Sequence, residues 1–210
     1  MVATDFDNHL VTTIEDLEQL YEAPVGNALI KEIDHINAPY RALIEAAPFF
    51  ALATSGPDGM DCSPRGDAPG FVRVHDQKTL LIPDRRGNNR IDSLRNLMHD
   101  PRVALLFLIP GCGETLRVIG RAKLTTEPAL CQSFIVDGKV PRVVIVVTVE
   151  RVYYQCPKAI VRAKLWDTTT WTDRQTLPTA GAILATISDG KAGGAQHDRD
   201  YPARLKATLY

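Results

Sequence analysis

Long hydrophobic runs are missing from this chain. No apolar segment approaches the roughly 20 residues that a membrane-spanning helix needs, and no basic n-region followed by an apolar stretch opens the sequence. A cytoplasmic protein that engages no membrane is the expectation. Cysteine is scarce as well: Cys62, Cys112, Cys131 and Cys156 show neither CxxC spacing nor a supporting histidine cluster. In 210 residues they make no disulfide framework, and no metal site is expected. Net charge is close to absent, at -1, which predicts no general attraction to nucleic acid; any basic patch must be local and directed at something small. No internal repeat is present.

What is there is the composition of an ordinary globular protein, with enough length for one substantial core or for one domain with helical additions. Up to residue 47 the pattern is helical. Thr12 caps a segment with Glu15 three residues on, and Ile14, Leu17, Leu20 and Tyr21 form an apolar stripe at helical spacing. Ala28 to Ile36 reads similarly, and Pro39 opens a short third helix that ends before Pro48. These helices are expected to pack on an edge or end of the region beyond Pro48.

From Phe49 the period changes to two. Phe49 to Thr54 reads as a strand, Gly56 to Gly59 as its turn, and Met60 to Ser63 as the return. Phe71 to Val74 and Thr79 to Ile82 form a second hairpin. Val103 to Ile109 is an apolar run suited to a central strand, and Thr115 to Leu124 sets Leu116, Val118 and Ala122 against Arg117, Arg121 and Lys123. A long β-branched segment runs from Arg142 to Gln155. Six or seven strands joined by hairpin turns, with only short helices between, predict a mainly β fold with peripheral helices, an antiparallel barrel and not a doubly wound sheet. In the tail, Pro178 to Ile187 suits a helix, and Gly190, Gly193 and Gly194 then break regular structure.

The stretch richest in chemistry is Asp84 to Leu97, DRRGNNRIDSLRNL. Gly87 lets the backbone turn, Asn88 or Asn89 caps a new helix with Asp92 supporting the Asn89 cap, and Ile91, Leu94 and Met98 face inward. Unpaired N–H groups at that helix start, beside Arg85, Arg86 and Arg90, suit a phosphate monoester. Between Arg85 and Arg102 five arginines stand against two aspartates, Asp92 and Asp100. A solvated turn whose arginines pair with surface carboxylates fits the same residues equally well.

Two further elements stand out. Ser63 and Arg65, within SPRG, offer a hydroxyl and a guanidinium at the end of a strand, suited to a phosphate or the polar edge of a flavin ring, or else to an ordinary surface turn. In QCPKAIVRAKLW, from Gln155 to Trp166, Pro157 suits the first helical position with Cys156 as cap. Cys156 lacks a histidine partner for nucleophilic chemistry. Lys158 and Arg162, four apart, face solvent or share an anion.

Taken together, SPRGDAPGFVRV, LLIPDRRGNNRIDSLRNLMHDPRVALLFLIPG, ETLRVIGRA and CPKAIVRAKLW resemble, in order and spacing from Ile36 to Trp166, the pyridoxamine 5'-phosphate oxidase-related FMN-binding proteins. The resemblance implies an FMN-binding antiparallel split β-barrel at 48–166, an N-terminal helical extension at 1–47 packing on it, and a C-terminal extension at 167–210. It also implies a homodimer with flavin sites at the subunit interface. By resemblance, Ser63 and Arg65 approach the flavin; Arg85, Arg86, Asn89 and Arg90 receive its phosphate; Arg162 and Trp166 come from the partner subunit. The implied activity is FMN-dependent oxidoreduction of a small molecule, with hydride passing through flavin N5 and no catalytic residue identified. The RxxxLK-like strand of the true oxidases is replaced by SPRG, and YPARLKATLY at Tyr201 to Tyr210 offers no equivalent of their substrate-gripping end, which puts a vitamin B6 substrate in doubt. Alternatives are a non-catalytic flavin-binding or storage protein, and a deazaflavin- or haem-binding barrel; scattered His35, His75 and His99 disfavour haem.

Overall fold

A computed structural model describes residues 6–24 and 26–210. The chain divides into two compact units, Met1–Glu32 and Ile33–Tyr210. The first holds two short helices, α1 (Ile14–Glu18) and α2 (Gly26–Ile30). Thr13, not Thr12, caps α1, its hydroxyl accepting from Asp16 N at 3.1 Å. The Ile14, Leu17, Leu20 and Tyr21 stripe is exposed. Residues 1–5 and 25 of the expected N-terminal extension lie outside the described residues.

The second unit is built on a seven-stranded sheet in the order β2-β1-β5-β6-β7-β4-β3, every pair antiparallel. Helix α3 (Ala38–Ala46) precedes it, capped by Asn37 with Pro39 in the first turn, and buries Tyr40 and Ile44 in the main core. The strands are β1 (Phe49–Gly56), β2 (Gly59–Gly66), β3 (Arg73–Asp76), β4 (Thr79–Pro83), β5 (Arg102–Leu108), β6 (Thr115–Thr125) and β7 (Val144–Gln155). Their period-two burial follows from the pleat: Phe50 and Leu52 point inward with Leu105 and Phe107 opposite, then Leu116 and Val118. Each such side chain contributes about 1.5–3 kcal/mol by leaving water. This is the antiparallel barrel with flanking helices that the strand pattern predicts, in the split form that the resemblance implies.

Gly120 is required where β6 crosses β7. A Cβ there would lie 2.1 Å from the Thr148 carbonyl oxygen, at the point where the β6–β7 register shifts. Beyond β4 comes α4 (Asp92–His99), and between β6 and β7 lies α5 (Pro128–Ser133), which the sequence pattern did not predict. Helix α6 (Lys158–Ala163) starts after Pro157, so Pro157 and not Cys156 occupies the cap position. The tail holds the expected α7 (Ala180–Ile187) and also α8 (Gly194–Ala207), the longest helix, beginning where the glycines were expected to end regular structure. Among the described residues no helix is long and apolar enough to cross a membrane.

Candidate functional site

The site is set by what the sheet does at one end. Strand β2 is an edge, and its register pairs Phe50 with Arg65, Leu52 with Ser63 and Thr54 with Asp61. Residues opposite one another share a face, so Asp61, Ser63 and Arg65 lie on the core-facing side of β2. Helix α4 packs there, and Ser93 Oγ donates to Asp61 Oδ2 at 3.0 Å, as Ser63 Oγ does at 2.8 Å. Those hydroxyls hold the Asp61 carboxyl below the usual aspartate range. Ser63 is therefore already committed within the chain.

Arg65 is different. Its Nη2 lies 3.9 Å from Asp84 Oδ1 and its Nη1 donates to the Pro64 carbonyl at 3.3 Å, but its Nε is buried with no partner among the described residues. A buried donor left unsatisfied costs about 1–3 kcal/mol. Arg65 lines a cavity of about 660 Å³ at the end of β4, together with Asp84, Arg85, Arg86, Asn89 and Ile91, with Lys139 and Arg142 from a second segment, and with Tyr210 after α8.

The turn from β4 into α4 forms one wall. Asn89 and Ile91 both take left-handed backbone conformations, at φ 61° and 54°. For Asn this is tolerable; for a β-branched residue it costs roughly 1–3 kcal/mol. Ile91 itself occupies the cap position of α4 and no side chain caps that helix, so neither Asn88 nor Asn89 does what their spacing suggested. Asn88 Oδ1 instead accepts from Arg90 N at 3.0 Å. Burial on α4 falls on Ser93, Leu94 and Leu97, while Ile91 and Met98 are exposed, rotating the expected inner face.

The opposite wall follows from β4–β7 pairing. Pro83 sits across from Val144, and Asp84 N donates to the Val143 carbonyl at 2.9 Å, which brings residues 139–143 alongside Asp84. A small core of Cys131, Phe134 and Val144, closed by Leu81, anchors α5 behind this segment. Asp137 and Gly138, at φ 47° and 73°, make a tight turn between bridged Val136 and Lys139. An Asp-Gly pair is a recognised signal for such a turn; reading it would have placed Lys139 and Arg142 at one loop end, though not beside Asp84.

The predicted site residues separate by partner. Arg85 donates from Nε to Asp67 Oδ2 at 2.6 Å and from Nη1 to the Phe134 carbonyl at 2.8 Å. Asp67 is nearly buried and also accepts from Tyr210 Oη at 2.7 Å and Ala68 N at 2.8 Å. Burial pushes the Asp67 carboxyl up, but the hydrogen bonds from Tyr210 and Ala68, with Arg85, outweigh it and leave it below the usual range. The same contact raises the Tyr210 phenol. Arg90 bonds Asp92 at 2.7 Å, is exposed, and does not line the cavity. Arg86, Lys139 and Arg142 have no carboxylate partner among the described residues. Arg162 is exposed, and Trp166 donates from Nε1 to the Cys112 carbonyl at 2.7 Å; neither lines the cavity within one chain. Sequence reasoning thus found Arg65, Arg85, Arg86 and Asn89 on the cavity wall, and missed Lys139, Arg142, Tyr210 and Asp84.

Among the described residues, Asp84 is the one acidic side chain on that wall. Burial pushes its carboxyl above the ordinary aspartate value, with Arg65 pulling the other way. Three unpaired cations, an orphaned guanidinium N–H and the uncapped start of α4 suit a phosphate monoester, so the residues present fit the phosphate end of a flavin mononucleotide.

A split barrel with a cation-lined cavity where β4 passes into its helix defines the class. The family model for pyridoxamine 5'-phosphate oxidase matches residues 36–156, and the chain belongs to that family. Membership supports a general flavin-binding, oxidoreductase role. No curated protein matches the sequence. Solved structures similar to it include HupZ from Group A Streptococcus, 20% identical over 58% of this chain and 94% of that one, with a TM-score of 0.48. General Stress Protein 26 from Bacillus anthracis is 15% identical over 54% and 88% of the two chains, with a TM-score of 0.41. An FMN-binding protein from Syntrophomonas wolfei is 13% identical over 54% and 82%, with a TM-score of 0.43.

Proposed function

We propose that this chain is an FMN-dependent oxidoreductase acting on a small molecule, with the flavin phosphate held in the cavity between the β4–α4 turn and residues 139–143. The observation that carries the reading is the convergence of Arg86, Lys139 and Arg142, all without a carboxylate partner among the described residues, on one cavity. Free cations around a concave site favour a small dianion over a surface. Family membership makes FMN the ligand of choice among phosphate monoesters. When bound, FMN supplies hydride exchange at N5; the protein supplies orientation and charge.

A homodimer belongs to the same reading. The outer face of β1 and β5 carries Phe49, Ala51, Leu106 and Leu108, incompletely covered and apolar, and on β6 it continues through Ile119 between Arg117 and Arg121. A second copy covering this face would bury that surface; by the family resemblance, Arg162 and Trp166 of one copy belong beside the flavin of the other.

The test is the absorption spectrum of freshly purified protein with mass identification of the released chromophore, followed by anaerobic mixing with NADH and NADPH. FMN released in near-stoichiometric amount, then bleached at a donor-saturable rate, supports the reading. A haem Soret band without FMN uptake contradicts it, and FMN that neither donor reduces speaks for flavin binding without these donors.

A further inference from the structure

The cavity wall is built of donors and cations except at one place. Asp84 stands at the end of β4 with its side chain 23% exposed, and Arg65 from β2 approaches it no closer than 3.9 Å. No hydrogen bond to its carboxyl is made among the described residues. The groups facing the same space are Arg65 from β2, Arg85 and Arg86 from the turn after β4, Lys139 and Arg142 from the segment before β7, and Tyr210 after α8. Asp67, behind Arg85, is engaged by Arg85 and Tyr210.

An anion entering this cavity changes the surroundings of Asp84 in two ways. It displaces water from the exposed part of the carboxyl and adds a negative charge of its own. Both disfavour the ionised form. Burial already pushes this carboxyl up.

We propose that Asp84 is the acid–base residue of the site: its carboxyl takes a proton from solvent as an anionic ligand fills the cavity, and the neutral acid then faces that ligand as a hydrogen-bond donor. The step is a protonation alone, one proton from water to one Asp84 oxygen, with no redox change. It rests on the flavin reading, because FMN is the anion concerned. By linkage, a ligand that binds with proton uptake binds more weakly as pH rises, by up to about tenfold per pH unit where a full proton is taken up.

The test is calorimetric titration of the full chain with FMN between pH 5 and 8, in phosphate-free buffers of different ionisation enthalpy, on wild type and Asp84→Asn. The FMN phosphate titrates near pH 6 in both proteins, so the difference between them isolates Asp84. Proton uptake in wild type beyond that of D84N, with D84N matching or exceeding wild-type affinity at the alkaline end, is the expected result. Equal proton exchange in the two proteins overturns the role of Asp84 while leaving the flavin reading standing. Should D84N not fold, wild type decides alone: FMN affinity that does not fall with pH above the range of phosphate ionisation, with no net uptake at any pH, overturns the proposal. No binding of FMN to folded wild type overturns the flavin reading itself, and this inference with it.

Discussion

Two sets of basic residues lie at or beside this cavity, and they do different work. Arg85 is held by buried Asp67, by the Phe134 carbonyl and beside the Tyr210 ring, while Arg90 bonds its neighbour Asp92. Arg86, Lys139 and Arg142 meet no carboxylate among the described residues. The first set is answered from within the chain and spends its charge on structure. The second leaves its charge facing the cavity, available to a ligand. Density of arginine along a sequence therefore marks where a site is, and the carboxylates marking which arginines serve it come from elsewhere in the fold.

That division is open to attack from both sides. The largest effect is expected on the structural set. Asp67→Ala leaves Arg85 half-buried without its anion and releases Tyr210, which should cost about 3–5 kcal/mol of unfolding free energy. Because the Asp67 carboxyl is held below its usual value, its stabilisation is complete above the ordinary aspartate range and is lost as pH falls through the lowered one. Denaturant melts of wild type and D67A should accordingly converge in acid and separate at neutral pH. A D67A melting midpoint unchanged at neutral pH would break the comparison.

Next in size is the cavity set. Lys139→Ala with Arg142→Ala should weaken FMN on the order of a hundredfold or more, each charged hydrogen bond being worth about 1.5–3 kcal/mol. The same pair should leave the melting midpoint almost where it was, because neither side chain supports the fold. Binding by flavin fluorescence quenching and stability by thermal melt, on one sample, give both halves of the answer. The smallest effect is expected for Arg90→Ala. Its pair with Asp92 is exposed and screened and contributes little to stability, and FMN affinity should not change; a large loss of FMN in R90A would move Arg90 into the ligand set.

The same contrast between local and distant partners governs how much was legible in the sequence. Strands β1 to β7 are readable because apolar runs, alternation and turn residues are local properties: Leu116, Val118 and Ala122 declare one face of β6 without knowledge of β7. The Asn37–Pro39 helix start and the Gly56 to Gly59 turn are local as well. Helix α5 and α8 were missed because Pro128–Ser133 is short and because Gly193 and Gly194 read as breakers, whereas the helix simply starts there. In the site, Arg65 came from SPRG and Arg86 and Asn89 from DRRGNN, each a short local motif. Lys139 and Arg142 are about fifty residues downstream and reach Asp84 only through Pro83–Val144 pairing. The Asn89 cap failed for a reason no spacing reveals, since Asn89 and Ile91 both turn left-handed at the cavity edge. Partnering of Arg85 by Asp67 and Tyr210, 143 residues apart, is tertiary from the start.

The most direct measurement is the ratio of dissociation constants for FMN and riboflavin, which differ by the phosphate alone, in wild type and in Arg86→Ala. Wild type should bind FMN at least about tenfold more tightly than riboflavin. In R86A the ratio should fall toward one, with riboflavin affinity little changed. Equal losses for both ligands, or a ratio that survives the substitution, would contradict a phosphate grip by the unpaired cations of this cavity.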